Sequence, residues 1–245
     1  MKKVLALVVA LVLVLSFTTA AMAEDTVKIG VFEPSSGDNG AGGRQEVLGI
    51  EYANKLKPTV EIGGKTYNVE LVVVDNQSAS DKAVTAAQSL VSDGVSIVLG
   101  SYGSGVSMAG GDVFAAAGIP AIGISCTNPS VTLLCDYYWR ICFLDPFQGS
   151  VMANFAAEKG CKKAYVLTML GEDYGNGLGY YFTDAFQKLG GEVVSETFPE
   201  GTSDFSAYLN NAVNAGCDVV FAPSATTYAS LIIDQAAAQN VSFPL

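Results

Sequence analysis

Ser96-Ile97-Val98-Leu99-Gly100-Ser101-Tyr102-Gly103-Ser104-Gly105 opens the stretch on which the reading of the fold turns. Ser96 to Leu99 is short and apolar, as a buried strand should be, and the glycines after it punctuate a turn. Ser104 to Ala117 then reads as a helix, closed by Gly118-Ile119-Pro120, and Ala121 to Ile124 as another strand. Short apolar strands separated by helices mean a parallel sheet covered on both faces.

The same rhythm extends outward in both directions. Upstream lie a strand at Val27 to Phe32, a helix at Gln45 to Leu56, a strand at Tyr67 to Asp75 and a helix at Asp81 to Val91. The first helix carries Val47, Leu48, Ile50 and Tyr52 as its apolar residues, and Gly63-Gly64 suggests a hairpin before the second strand. Downstream, Asp145-Pro146-Phe147-Gln148 places a cap residue, a proline at the first helical position and a glutamine three after the cap. It opens a helix to Lys159. Strands follow at Ala164 to Met169, Glu192 to Thr197 and Val219 to Ala222, with helices at Asn176 to Leu189, Phe205 to Ala215 and Tyr228 to Gln239. Two runs of strand–helix units predict an α/β chain of two doubly wound lobes. The first spans 24–142; the second spans 143–245 and stops where another strand is expected, so the second lobe reads as incomplete.

Residues 1–23 read as a signal peptide. Met1-Lys2-Lys3 is basic, Val4 to Phe17 is apolar but shorter than the roughly 20 residues that span a bilayer, and Ala21-Met22-Ala23 suits a cleavage site. The cut chain is expected outside the cytoplasm, with no stable membrane insertion. The 245 residues carry 24 acidic and 13 basic side chains, a net charge of −11, which argues against a nucleic-acid partner. There are 0 histidines, which excludes histidine catalysis and histidine-ligated metals; no metal or cofactor and no enzymatic activity are expected. Half the residues are hydrophobic and 15% charged, a core-forming balance. Five cysteines leave two readings open: a bridge between Cys126 and Cys135, or five free thiols.

In open parallel sheets, ligands bind beyond the carboxyl ends of the strands. That rule selects the loops at 34–43, 100–105, 125–129, 171–177 and 223–226. Gly103, Ser104 and Gly105 at a helix start leave backbone N–H groups free for an anion, with the Ser104 hydroxyl aimed at the same point. Charge-assisted hydrogen bonds of about 1.5–3 kcal/mol each, plus about 0.3–1 from the helix dipole, are enough for micromolar binding. A dinucleotide fingerprint fails because Met108 stands where its third glycine belongs, and no phosphate-loop Gly-Lys-Ser/Thr occurs. A nucleotide-using enzyme is therefore disfavoured. Asp145 and Glu172 could be set as a catalytic pair, but Asp145 is explained as a helix cap. Tyr174 reads either as an aromatic projecting across the cleft or as a core tyrosine.

Together these residues resemble the periplasmic substrate-binding proteins of ATP-driven branched-chain amino acid transporters, with the type I periplasmic-binding fold. The resemblance runs from about residue 26 to 245. It rests on Ile29-Gly30, Gly100 to Ser104, Gly118-Ile119-Pro120, Ser125 to Pro129, Tyr138-Trp139-Arg140, Asp145 to Gly149 and Asp173 to Gly177. It implies that Ser104 holds a ligand α-carboxylate, that the Ser125 carbonyl accepts from the α-ammonium, and that Thr127 touches both. Tyr102 would line the side-chain pocket, and Tyr174 would close over the ligand. Gly42 and Ala225 stand where leucine-binding members carry pocket tyrosines, and the acid that pairs with the ammonium is expected beyond Leu245, so residues 24–245 alone are expected to bind weakly. The implied function is a monomeric binding protein that hands a small amino acid to a membrane permease. A urea or short-amide ligand, or a sensory receptor domain, are the alternatives within the same fold.

Overall fold

Strand β1 (Thr26–Glu33) runs through the interior of a six-stranded sheet in the computed structural model, which describes residues 25–244. The expected signal peptide lies outside the described residues. The sheet order is β2-β3-β1-β4-β5-β6, with β2 (Thr59–Ile62), β3 (Lys65–Asp75), β4 (Ile97–Leu99), β5 (Ala121–Gly123) and β6 (Tyr138–Arg140). Every pairing is parallel except β2 with β3. The exception is the hairpin at Gly63-Gly64, whose φ angles of 59° and 80° are what a two-residue turn needs.

From β1 the chain steps to β3 on one side and then crosses to β4 on the other. That reversal is a topological switch point, where strand ends splay and leave a crevice. Gly100 makes the approach possible. Its φ is 118°, and a Cβ there would lie 2.3 Å from the Phe32 carbonyl oxygen.

One face of this sheet is well covered. Helices α2 (Ser80–Ser92) and α3 (Ser104–Ala117) bury Ala83, Leu90, Val106 and Phe114 against Phe32 and Val98, with Phe32 and Phe114 edge-on at 5.3 Å. The other face departs from the expectation of two covered faces. There α1 (Gly40–Leu56) buries only Gly40 and Gly43, and Leu48 and Tyr52 are 56% and 63% exposed. The stripe it turns to the sheet includes Gly49, Ile50 and Ala53, too small to fill the space. An apolar groove of about 580 Å³ is left over Ile29, Leu71, Leu99 and Ile122. The helix also begins five residues before the expected Gln45.

After the short α4 (Ser130–Leu133), β6 and α5 (Asp145–Glu158), a second sheet forms in the order β8-β7-β9, all parallel. Its strands are β7 (Lys163–Met169), β8 (Glu192–Phe198) and β9 (Val219–Phe221). Helices α5 and α6 (Asp173–Lys188) pack one face through Ala153, Phe182 and Phe186. Helices α7 (Ser206–Asn214) and α8 (Thr226–Ala238) pack the other through Phe205, Leu209, Tyr228 and Ile232. The α/β architecture of parallel sheets and helices is therefore as expected. The described residues contain no helix long and apolar enough to cross a membrane.

Candidate functional site

The carboxyl ends of β1, β4 and β5 face those of β7 and β9 across a cavity of about 200 Å³. That is smaller than the usual drug-sized pocket and suits a small metabolite. Tyr102, Gly103, Ser104, Ser125, Thr127 and Tyr174, all selected from sequence, line it. Gly105 lies instead on a neighbouring cavity, where a Cβ would stand 3.0 Å from Asp173 Oδ2. Its smallness lets α6 approach α3.

Ser104 is the first residue of α3, and its side chain is buried. Its Oγ accepts the Asn128 N–H at 3.1 Å. A hydroxyl that accepts one bond keeps its own hydrogen to donate, and the first amides of α3 have no carbonyl within the helix to bond. The next loop is clamped from below. Arg140 Nη1 donates to the carbonyls of Cys126 and Asn128 at 2.7 and 2.8 Å, and Nη2 donates to Thr132 Oγ1 at 2.9 Å. This fork holds the backbone between Ser125 and Pro129, so Thr127 is presented by a fixed loop. Thr127 Oγ1 is buried beside the Asp145 carboxyl.

On the second wall, Glu172 is the N-cap of α6. Its carboxylate accepts from the amides of Tyr174, at 3.0 Å, and Gly175. Burial pushes the Glu172 carboxyl up, and those two amides pull it back down. Burial also pushes the Tyr174 phenol up to about 12, against a hydrogen bond with Gln148. The lobes are joined at the rim. Asn128 Nδ2 donates to the Asp173 carbonyl at 2.9 Å, and Thr226 and Thr227 hydroxyls donate to the Asp38 carbonyl at 3.2 and 3.1 Å.

Asp145 is not the helix cap that its sequence suggests. The cap position is Leu144, and no side chain caps α5. The Asp145 amide instead donates to the Thr127 carbonyl at 3.0 Å, which draws the side chain inward behind Thr127. Its carboxyl is buried; burial raises it, against a hydrogen bond with Thr127 and the charge of Arg140. The capping role belongs to Glu172.

Sequence reasoning missed a second carboxyl pair. Glu33, at the end of β1, is 1% exposed, and its Oε2 accepts the Tyr102 N–H at 2.6 Å. Glu46 Oε1 accepts the Ser125 hydroxyl at 2.5 Å. Glu33 Oε1 and Glu46 Oε2 are both buried with no partner among the described residues besides the hydrogen bond between the two carboxyls. Burial, with Glu46 beside it, pushes the Glu33 carboxyl up to about 10. One proton shared by the pair accounts for both oxygens. The signal was available: a glutamate at the carboxyl end of the central strand sits where the switch-point rule looks. Gln148 and Phe143 also line the cavity. They come from the crossover between sheets, which no strand-end rule covers. Tyr102 occupies the room that Gly42 leaves, since a Cβ on Gly42 would lie 2.5 Å from its ring. Among the described residues no group of His, Cys, Asp and Glu is placed to hold a metal ion.

Two parallel-sheet lobes around a small interlobe cavity of hydroxyls and helix-start amides are the arrangement the comparisons can be set against. The chain belongs to the periplasmic binding protein family, whose model matches residues 26–244. Family membership implies a location outside the cytoplasm. The chain is 32% identical to a Leu/Ile/Val-binding protein homolog of Brucella melitensis, over 98% of this chain and 65% of that relative. It is 35% identical to a leucine-binding protein of known structure from Thermotoga maritima, covering 89% of this chain and 61% of that one, with a TM-score of 0.84. A solute-binding protein of an R. palustris ABC transporter, solved with benzoate, is 26% identical, with 90% and 61% covered and a TM-score of 0.81. The chain thus spans less than two thirds of the length of these relatives.

Proposed function

We propose that this chain forms the ligand-holding part of an extracytoplasmic solute-binding protein for a small amino acid of the branched-chain type. The protein would deliver that ligand to the membrane permease of an ABC transporter. Ser104 and the α3 amides take the carboxylate; the Ser125 carbonyl and Thr127 Oγ1 take the ammonium. Tyr102 borders the side chain, and Tyr174 closes the second wall. The Ser125 hydroxyl is committed to Glu46, so its backbone is what it offers a ligand. The relatives named for leucine, isoleucine and valine support this ligand class.

One observation carries the choice of a zwitterion. Anion donors at Ser104 share the cavity with Thr127 Oγ1, which has the buried Asp145 carboxyl behind it. The charge of Arg140 already acts on that carboxyl, and a ligand ammonium would add to it. The benzoate-bound relative favours a second reading, an aromatic carboxylate held by the same α3 amides. That ligand has nothing to offer Thr127 and Asp145.

Isothermal calorimetry of the whole protein with leucine, isoleucine, valine, benzoate and urea tests both. Micromolar binding of an aliphatic amino acid, about −8 kcal/mol, is expected, with no heat from the others. Heat from benzoate or urea alone removes the amino-acid reading, and no heat from any removes both.

A further inference from the structure

We infer that Cys126 and Cys142 form a reactive dithiol that closes to an intramolecular disulfide on meeting a small-molecule disulfide such as oxidised glutathione. The geometry arises at the edge of the first sheet. β5 and β6 pair in parallel with Gly123 opposite Arg140, and the Ile141 amide donates to the Gly123 carbonyl at 3.1 Å. The two segments therefore leave the sheet side by side, with Cys142 one residue past the last bonded pair. The Cys126 side chain folds back over Gly123, where a Cβ would lie 2.2 Å from its Sγ. Cys142 follows Ile141, whose amide bonds that same glycine, so the two thiols are neighbours and each shifts the other's ionisation. Of the two readings from sequence, the structure has the five free thiols and no bridge between Cys126 and Cys135, whose Sγ donates to the Gly111 carbonyl at 3.5 Å.

The two thiols differ as exchange chemistry requires. Cys142 is half-buried and within reach of solvent, and Cys126 is buried. The hydrogen bond from Cys126 and the charge of Arg140 hold the Cys142 thiol down to about 7, against its partial burial. The same hydrogen bond and deep burial push Cys126 up. Cys142 is thus the nucleophile, because the thiolate is the attacking form. It attacks one sulfur of the small disulfide and expels the other as a thiolate, which takes up a proton. Cys126 then loses its proton to solvent and attacks the Cys142 sulfur, expelling the second small thiol. The protein dithiol is oxidised by two electrons, and the small disulfide is reduced to two thiols.

The bridge would tie the Ser125–Thr127 loop to the segment that carries Phe143, so both ends border the cavity. Compartments outside the cytoplasm are where such a bond forms and persists. The inference does not depend on which solute binds.

The test is to incubate the folded full chain with oxidised glutathione, quench in acid, alkylate under denaturing conditions and map the unreduced peptides. Two of the five thiols should be lost, in one peptide pair joining Cys126 to Cys142, with no glutathione retained. Cys126→Ser should trap a single glutathione on Cys142, and Cys142→Ser should leave Cys126 unmodified. Five alkylated thiols, a Cys126–Cys135 link, or glutathione kept on Cys142 of the unsubstituted chain would each overturn the inference. The unsubstituted map decides even if a variant fails to fold.

Discussion

The two walls of the cleft are made of different material. The first-lobe wall offers, beside the Tyr102 ring, backbone and small hydroxyls: the start of α3 with Ser104, and a loop pinned through Arg140 that presents Thr127. The second-lobe wall offers larger groups on one helix start, with Ser224 and Ala225 beside them; the Glu172 carboxylate is spent on capping and the Tyr174 phenol meets Gln148. Backbone donors at a helix start need no reorganisation to meet an anion, and a tyrosine brought by a separate lobe does. The first wall should therefore carry most of the recognition, and the second should act by closure.

Ser104→Ala puts that asymmetry at greatest risk. Losing a hydrogen bond to a charged group costs about 1.5–3 kcal/mol, so the dissociation constant should rise by roughly one to two orders of magnitude in calorimetry. The same change strips the Asn128 amide of its acceptor, so a thermal melt should fall as well. An unchanged dissociation constant beside a lowered melt would make Ser104 structural and dissolve the contrast.

How far these walls were legible beforehand depends on what each residue does locally. Ser104, Thr127 and Tyr174 sit at strand ends or helix starts, where glycine and hydroxyl patterns announce a turn, and the start of α3 at Ser104 is where periodicity puts it. Asp145 misled because its local signature is that of a cap. Only the hydrogen bond of its amide to Thr127, set by the fold, turns its carboxyl inward. α1 misled in a similar way. Leu48 and Tyr52 look like a core stripe, but Gly49, Ile50 and Ala53 are the residues that face the sheet. Helical periodicity gives the angle between residues and not the direction of the sheet. Glu33 lay within reach of the strand-end rule, but its partner Glu46 sits on α1, and only the fold brings that carboxylate to the Ser125 hydroxyl.

That buried pair gives the next test of the first wall. The folded chain holds Glu33 protonated, and the unfolded chain releases the proton above its ordinary value of 4.5. Folding therefore takes up a proton between 4.5 and about 10, and stability is greatest at the acid end of that window and falls as pH rises. The slope is at most about 1.4 kcal/mol per pH unit. Glu33→Gln keeps a donor for Glu46 and an acceptor for the Tyr102 amide without the titrating proton. Urea unfolding across the window should show a flatter profile for the variant. Equal slopes would mean the pair does not share a proton and that Ser125 is held in some other way.

Tyr174→Phe is the smallest effect and the one that speaks to the second wall. It removes a phenol that meets Gln148 and borders the cavity, and it keeps the ring. A neutral hydrogen bond contributes about 0.5–1.5 kcal/mol, so binding should weaken by no more than about tenfold, less than for Ser104→Ala. Because burial pushes the phenol up to about 12, it remains a donor throughout the neutral range, and its share of binding should not vary with pH there. A loss as large as that of Ser104→Ala would mean that the second wall recognises the solute directly. The two walls would then be equal partners, and closure would be part of selection rather than a step that follows it.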